Sequence, residues 1–350
     1  MTPSLTIAGR RIGPGCEPFI ICELSGNHNG SLDRALAMLE AAAATGCDAI
    51  KLQTYTPDTI TLDSDSPDFL IESGLWAGRR LHELYAEAYT PYEWHEALFA
   101  KARALGVILF STPFDDTAVD LLESLNAPAY KIASFEAVDL PLIARVAATG
   151  KPMIISTGLA NLEEMAEALE TARKHGSGEV ALLHCVSSYP APIEEANVAT
   201  VPDLAARFGV VSGLSDHTPG SAASVAAVAL GASLIEKHFT LARADGGPDA
   251  SFSLEPAEFT ALVADCKAAW QAVGRVHYDA LGSEAAAANH RRSLYVAADI
   301  AAGELFTKAN VRSVRPGYGL APKHLPEVLG RRAKRALKLG DRLSWDVIQD

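Results

Sequence analysis

The sequence predicts an α/β protein built as a (β/α)8 barrel followed by a small β-rich domain. Three observations predict it. Short apolar, β-prone runs alternate with amphipathic helical stretches eight times over about 250 residues, the rhythm of parallel strands with helical crossovers. The apolar runs end on polar, chemistry-bearing residues, which is where barrel enzymes gather their reactive groups. After Gly274 the rhythm stops, and residues 291–350 are richer in basic residues and Gly, with short β-like runs and turns at Ala302-Gly303, Pro316-Gly317 and Leu339-Gly340.

In order, the first strand covers 19–24 and runs into Ser25-Gly26-Asn27-His28-Asn29-Gly30, a turn whose Asn and Gly suit left-handed backbone. Asn27 and His28 are minor site candidates there. A helix over 32–45 leads to the second strand, 49–53. The stretch 54–90 breaks the rhythm and reads as an extended loop over the barrel mouth. Helix 91–105, strand 107–111, helix 117–125, strand 129–132, helix 141–149 and strand 153–157 follow. Then come helix 162–175, strand 180–185, helix 198–208, strand 210–214, helix 222–230, strand 233–238 and a closing helix, 256–273. The expected division is a catalytic barrel over 1–282, a polar Ala-rich linker over 283–290 and the β-rich domain over 291–350.

Composition narrows the class. With 49% hydrophobic and 21% charged residues the chain is an ordinary globular one, and 350 residues can bury a large core. A net charge of −13 argues against a nucleic-acid partner. The basic run Arg331-Arg332-Ala333-Lys334-Arg335 reads as a solvated turn or strand edge. The five cysteines are scattered and form no CxxC pair, which favours reduced thiols in a cytoplasm-like compartment. No signal peptide is apparent, and no uncharged apolar run nears the roughly 20 residues of a membrane span. A soluble, cytoplasmic enzyme is expected.

The strand ends carry the chemistry. They read Glu23; Lys51-Leu52-Gln53; Ser111-Thr112; Lys131 with Ser134 and Glu136; Ser156-Thr157-Gly158; Ser187-Ser188-Tyr189; Ser215-Asp216-His217; and Glu236-Lys237-His238. A lysine aimed into a barrel mouth is costly without an anionic partner, and three stand at strand ends. Beside several hydroxyls they suit a phosphate and a carboxylate. His217 and His238 end the seventh and eighth strands, which are neighbours in a closed barrel, and each stands beside a carboxylate. Two imidazoles with open positions suit Mn2+, Mg2+ or Co2+ acting on a carbonyl, rather than a closed structural zinc. His184 precedes Cys185 and by strand parity faces the helices as a structural residue. Asp249, in the turn Gly246-Gly247-Pro248-Asp249, is placed to reach a sugar hydroxyl.

These motifs resemble the sialic acid synthase family, whose members condense phosphoenolpyruvate (PEP) with an N-acylated amino sugar. The resemblance covers nearly the whole chain. It rests on Glu23-Leu24-Ser25-Gly26-Asn27-His28-Asn29-Gly30, Lys51-Leu52-Gln53-Thr54-Tyr55, Lys131-Ile132-Ala133-Ser134, Gly213-Leu214-Ser215-Asp216-His217 and Glu236-Lys237-His238-Phe239-Thr240. It implies a barrel followed by an antifreeze-like (SAF) domain, with metal on His217 and His238. It further implies PEP on Lys51, Thr112, Lys131, Ser134, Ser156 and Ser215, and sugar on Glu23, Gln53, Tyr189 and Asp249. Glu136 matches a glutamate implicated in proton handling; whether it or Glu23 serves the reacting water stays open. Ser187 and Glu236 complete the expected substrate-binding set. Ser187 stands where N-acetylneuraminate synthases carry Asn, which fits a different sugar.

Three stretches resemble the pseudaminic acid branch of the family: Tyr55-Thr56-Pro57-Asp58-Thr59, Gly246-Gly247-Pro248-Asp249 with Phe252-Ser253-Leu254-Glu255-Pro256, and Val311 to Leu320. The implied reaction joins PEP to 2,4-diacetamido-2,4,6-trideoxy-L-altrose; an N-acetylneuraminate or legionaminate synthase with another amino sugar is the alternative. The family also implies a domain-swapped homodimer in which Arg315, or less strongly Arg312, reaches the partner's site; a tethered stabilising module is the competing reading. Outside the family, the residues leave open a metal-dependent barrel hydrolase and a non-catalytic carbohydrate-binding protein whose working part is 291–350.

Overall fold

The computed structural model describes residues 2–285 and 287–349. The chain forms two compact units that divide between Gly274 and Arg275. The first begins with a hairpin, β1 (Leu5–Ile7) and β2 (Arg10–Ile12). Eight parallel strands then close into a barrel: β3 (Phe19–Glu23), β4 (Ala49–Thr54), β5 (Ile108–Pro113), β6 (Tyr130–Ile132), β7 (Met153–Ser156), β8 (Val180–Cys185), β9 (Val211–Asp216) and β10 (Leu234–His238). The last strand pairs with both β9 and β3, which completes the ring.

The two-residue period of a strand sorts its side chains between two cores. Inward-facing Phe19, Ile21, Ala49, Phe110, Ile154, Leu183 and Leu234 fill one end of the barrel, where Leu5, Ile7 and Ile12 of the hairpin plug it. Each of the larger side chains here contributes about 1.5–3 kcal/mol when fully buried. The interior has no spare room: a Cβ on Gly213 would lie 2.2 Å from the Leu234 carbonyl oxygen. Outward-facing Cys22, Ile50, Leu109, Ile155 and Ile235 pack against the surrounding helices in a second, larger core. Moving one inward position further along each strand changes the chemistry from apolar to polar, giving Glu23, Lys51, Thr112, Lys131, Ser156, Ser215 and Glu236. That step builds the floor of the site.

Local signals fix the helices. Asn161 caps helix Leu162–His175 and Glu164 reaches back to the Asn161 N–H, a capping box. Gly106, at φ +69°, closes helix His95–Leu105 in the left-handed conformation.

Three features differ from the sequence expectation. The hairpin carries a weak sequence signal, because its two-residue turn is Ala8 (φ 47°) and Gly9 (φ 82°), with Ala where Asn or Asp usually takes the first left-handed position. The predicted helix over 91–105 begins as a 3-10 turn, Tyr92–Trp94, before His95–Leu105. The predicted loop over 54–90 is ordered into helices Pro57–Ile60 and Leu81–Ala88 with a 3-10 turn at Pro67–Phe69; each is too short to give a periodic signal.

In the second unit β11 (Ser293–Val296) pairs antiparallel with β12 (Val311–Val314). Isolated bridges Ile300↔Leu337, Leu305↔Arg332 and Ala333↔Ile348 extend the β character. Leu294, Ile300, Phe306, Val328, Leu337 and Leu343 form its own core. In the basic run, Ala333 packs inward while Arg332 donates to the Gly303 carbonyl, a strand edge.

Candidate active site

Most of the polar strand ends line one cleft of about 400 Å3 at the C-terminal mouth of the barrel, whereas Glu23, Thr112 and Ser187 are not part of its lining. Its floor is an ion-pair cluster. Lys51 Nζ lies 2.6 Å from Glu23 Oε2 and donates to Thr112 Oγ1 at 3.1 Å. Lys131 Nζ lies 3.4 Å from Glu236 Oε1, which also accepts from Ser215 Oγ at 3.0 Å. Gln53 Nε2 and the Ser25 N–H donate to Glu23 Oε1 at 2.9 and 3.1 Å. Burial opposes the charge on Lys51, and the Glu23 and Glu236 carboxylates outweigh it and raise its pKa. For Lys131 burial prevails and lowers the pKa. Buried ion pairs give little net stability against well-packed apolar residues, so a ligand accounts for this cluster better than folding does.

Beside the lysines are hydroxyls. Ser156 Oγ is buried without a hydrogen-bond partner. Ser134 Oγ donates to Cys185 Sγ at 3.3 Å. Ser187 sits against Gly158, where a Cβ would come within 2.2 Å of Ser187 Oγ, so only glycine permits that approach. Glu136 reaches the cleft from the turn after β6. Its Oε2 is buried and unpartnered, and burial pushes its pKa up to about 7.

His217 and His238 stand together, ring centroids 5.4 Å apart. His217 Nδ1 donates to the Val186 carbonyl at 2.9 Å, which leaves the Nε2 lone pair free. His238 Nδ1 is buried with no hydrogen-bond partner and lies 3.9 Å from Asp249 Oδ2. Burial, aided by neighbouring cations, holds the His238 pKa well below the usual imidazole value. Two free imidazole nitrogens on one side of a polar cleft fit an open divalent-metal site. Among the described residues no group of three or more His, Cys, Asp or Glu is arranged to hold a metal ion. The Tyr189 ring lies against His217, with centroids 4.3 Å apart and planes tilted by 40°.

Two expectations about the strand ends are corrected. Lys237, the third lysine, faces away from the mouth: it pairs with Asp216 at 2.9 Å and donates to the Thr218 carbonyl. Asp216 likewise turns outward and accepts from the Thr218 N–H and Ser224 Oγ, so it does not orient His217. Strand parity explains both, because Asp216 and Lys237 lie one residue from inward-facing Ser215 and Glu236. The same parity puts His184 on the helix side, where Nε2 donates to the Ala196 carbonyl at 2.8 Å. Asn27 donates to the Phe239 carbonyl and Ser253 Oγ, and His28 meets Thr90 Oγ1, so both brace the first loop rather than line the cleft. Arg315 belongs to the second unit, exposed in a shallow groove of that unit with Arg312.

The sequence reading missed an apolar wall of the cleft, made by Ile60, Ile71, Trp76, Leu81, Tyr85 and Phe114. Its only signal was a scatter of apolar residues through a stretch without periodicity.

Comparison with known proteins fits this geometry. The NeuB family model matches residues 38–278, and the SAF domain model matches residues 291–349. The chain belongs to the NeuB family. Within that family, the pseudaminic acid synthase of Campylobacter jejuni is 46% identical over 95% of this chain and 96% of its own. The Helicobacter pylori pseudaminic acid synthase is 45% identical over 95% and 98%. The N,N'-diacetyllegionaminic acid synthase of Campylobacter jejuni is more distant, at 36% identity over 91% and 97%. Among solved structures, an N-acetylneuraminic acid synthetase from Leptospira borgpetersenii in complex with citrate superposes with TM-score 0.73 at 30% identity, covering 81% of this chain and 94% of that one. Spore coat polysaccharide biosynthesis protein SpsE from Bacillus subtilis gives TM-score 0.67 at 35% identity over 99% of both chains.

Proposed function

We propose that this protein is a transferase-type synthase that condenses PEP with 2,4-diacetamido-2,4,6-trideoxy-L-altrose and water, giving pseudaminic acid and inorganic phosphate. The observation that carries the reading is the cleft floor, where two buried lysines and several hydroxyls stand beside paired histidines. Identity of 46% to a pseudaminic acid synthase, against 36% to a legionaminic acid synthase, supports this sugar over the alternatives.

Lys51 and Lys131, with Thr112, Ser134, Ser156 and Ser215, hold the phosphate and carboxylate of PEP. Glu236 keeps both lysines in place before the anion arrives. Gln53, Ser187, Tyr189 and Asp249 orient the open-chain sugar over PEP. A divalent ion (Mn2+, Mg2+ or Co2+) would be held by His217 and His238 and would supply Lewis-acid polarisation of the sugar aldehyde. PEP C3 forms the new bond to the aldehyde carbon as the aldehyde C=O π bond opens, and the aldehyde oxygen takes a proton from solvent. The oxocarbenium-like centre left at C2 is captured by water, and Glu136 accepts the proton that this water loses. The tetrahedral adduct then collapses: the C2–O bond to the phosphate breaks, the C2 hydroxyl gives its proton to the departing phosphate and becomes the 2-keto group, and the lysines stabilise that phosphate. Glu23, fixed by Lys51, Gln53 and the Ser25 N–H, positions the lysine and the amide that contact substrate.

The reaction is cytoplasmic, consistent with PEP as substrate and with five free cysteines. Among the described residues no helix is long and apolar enough to cross a membrane. The working state is a domain-swapped homodimer in which the partner subunit's Arg315 reaches the sugar.

A phosphate-release assay over a panel of amino sugars tests the reading. Release from PEP is expected with the 2,4-diacetamido-2,4,6-trideoxy sugar, lost with EDTA and restored by metal. Turnover with N-acetylmannosamine alone would reassign the substrate, and EDTA-resistant turnover would remove the metal.

A further inference from the structure

We infer that the wall formed by residues 60–85 and Phe114 is a subsite for the deoxy carbons of the sugar, and that it selects against hydroxyls at the end remote from the aldehyde. The inference rests on the reading that PEP and an acylated amino sugar share this cleft. The two sides of the cleft differ in chemistry. Its floor is polar at nearly every strand end, whereas Ile60, Ile71, Trp76, Leu81 and Phe114 present carbon from the other side. The Trp76 indole N–H is already committed to the Pro248 carbonyl at 2.9 Å, so its ring offers an apolar face. The same segment does carry charge, and turns it elsewhere: Arg79 pairs with Glu87 at 2.5 Å, and Arg80 with Asp65 at 3.1 Å. None of the residues from 60 to 88 that line the cleft is charged.

Orientation follows from the reaction. The aldehyde carbon must lie against the floor, within reach of PEP and the histidines. The far carbons of the sugar are then left facing the wall. A methyl there gains buried apolar contact, while a hydroxyl gives up water and finds few partners. A pocket of this kind discriminates modestly, because one methyl or one hydroxyl in apolar surroundings changes selectivity by about 10- to 200-fold. Tyr85, the hydroxyl-bearing residue of the wall, is placed to meet an acetamido group without removing that preference.

The test uses alditols, the reduced sugars that lack the aldehyde and cannot react. Calorimetry measures binding of the 2,4-diacetamido-2,4,6-trideoxy alditol and its 6-hydroxy counterpart to the full-length protein in the presence of PEP. The wild type is expected to prefer the 6-deoxy compound by about tenfold or more. Leu81→Asn and Ile71→Thr, made separately, are each expected to shrink the preference at least about threefold, with thermal transitions like the wild type's. Equal binding of both compounds, no binding of either, or a preference unchanged in both well-folded variants would overturn the subsite. Phosphate release from the parent aldoses reads the proposed reaction separately, so failure of one is distinguishable from failure of the other.

Discussion

Glu136 lines the cleft and Glu23 touches it through Lys51, and their neighbours separate their roles. Glu23 takes two hydrogen bonds on Oε1 and the Lys51 ion pair on Oε2, so protonating it during a cycle would break the pair that holds Lys51. Glu136 has a free buried oxygen and a pKa pushed up to about 7 by burial. As the proton acceptor it must be ionised, so kcat/KM is expected to climb as pH rises through about 7. Glu136→Gln should flatten that limb and lower kcat by roughly 10²–10⁴-fold, which a pH–rate profile checks. The sign for stability is opposite. A carboxyl whose folded pKa lies above its unfolded value loses stability as pH rises from the unfolded value to the folded one. Glu136→Gln should therefore be more stable than wild type at pH 8, by about 1–3 kcal/mol in urea unfolding, and nearly equal to it at pH 4.

At the scale of elements, β9 and β10 each serve two environments at adjacent residues. Ser215, His217, Glu236 and His238 face the cleft, while Asp216 and Lys237 form a buried pair between barrel and helices. Lys237→Met leaves the Asp216 carboxylate uncompensated and should destabilise by about 3–5 kcal/mol, whereas adding Asp216→Asn should recover most of the loss; denaturant midpoints decide it. This alternation also marks how far the sequence could be read. Strand ends, the paired histidines and the Lys51 and Lys131 positions follow from the two-residue period and the eightfold rhythm. That a lysine ends a strand does not say which face it takes; Lys237 and Asp216 needed the register, since a shift of one residue exchanges barrel interior for helix side. The wall over 57–88 was illegible for another reason. Its helices are too short to show a hydrophobic period, and long-range contacts such as Trp76 to Pro248 hold it in place.

At the scale of the whole molecule, the two units have separate cores, and the proposed dimer has the partner subunit's Arg315 complete the site. If a partner subunit supplies that arginine, two defective chains can complement each other. Arg315→Ala and His238→Ala are each expected to be inactive, while a mixture refolded together should regain up to about a quarter of wild-type activity, as expected for one intact composite site in half of the dimers. Light scattering should give about twice the 37.0 kDa chain mass. A monomeric mass, or no recovery on mixing, would make the second unit a tethered module.

The central claim is that the cleft joins PEP to a sugar and breaks the C2–O bond of PEP rather than its P–O bond. Turnover in 18O-labelled water followed by mass spectrometry of the released phosphate tests it most directly. The account predicts unlabelled phosphate, released only when the amino sugar is present and matched by formation of the nonulosonic acid. Phosphate carrying 18O, or released from PEP without sugar, would contradict it.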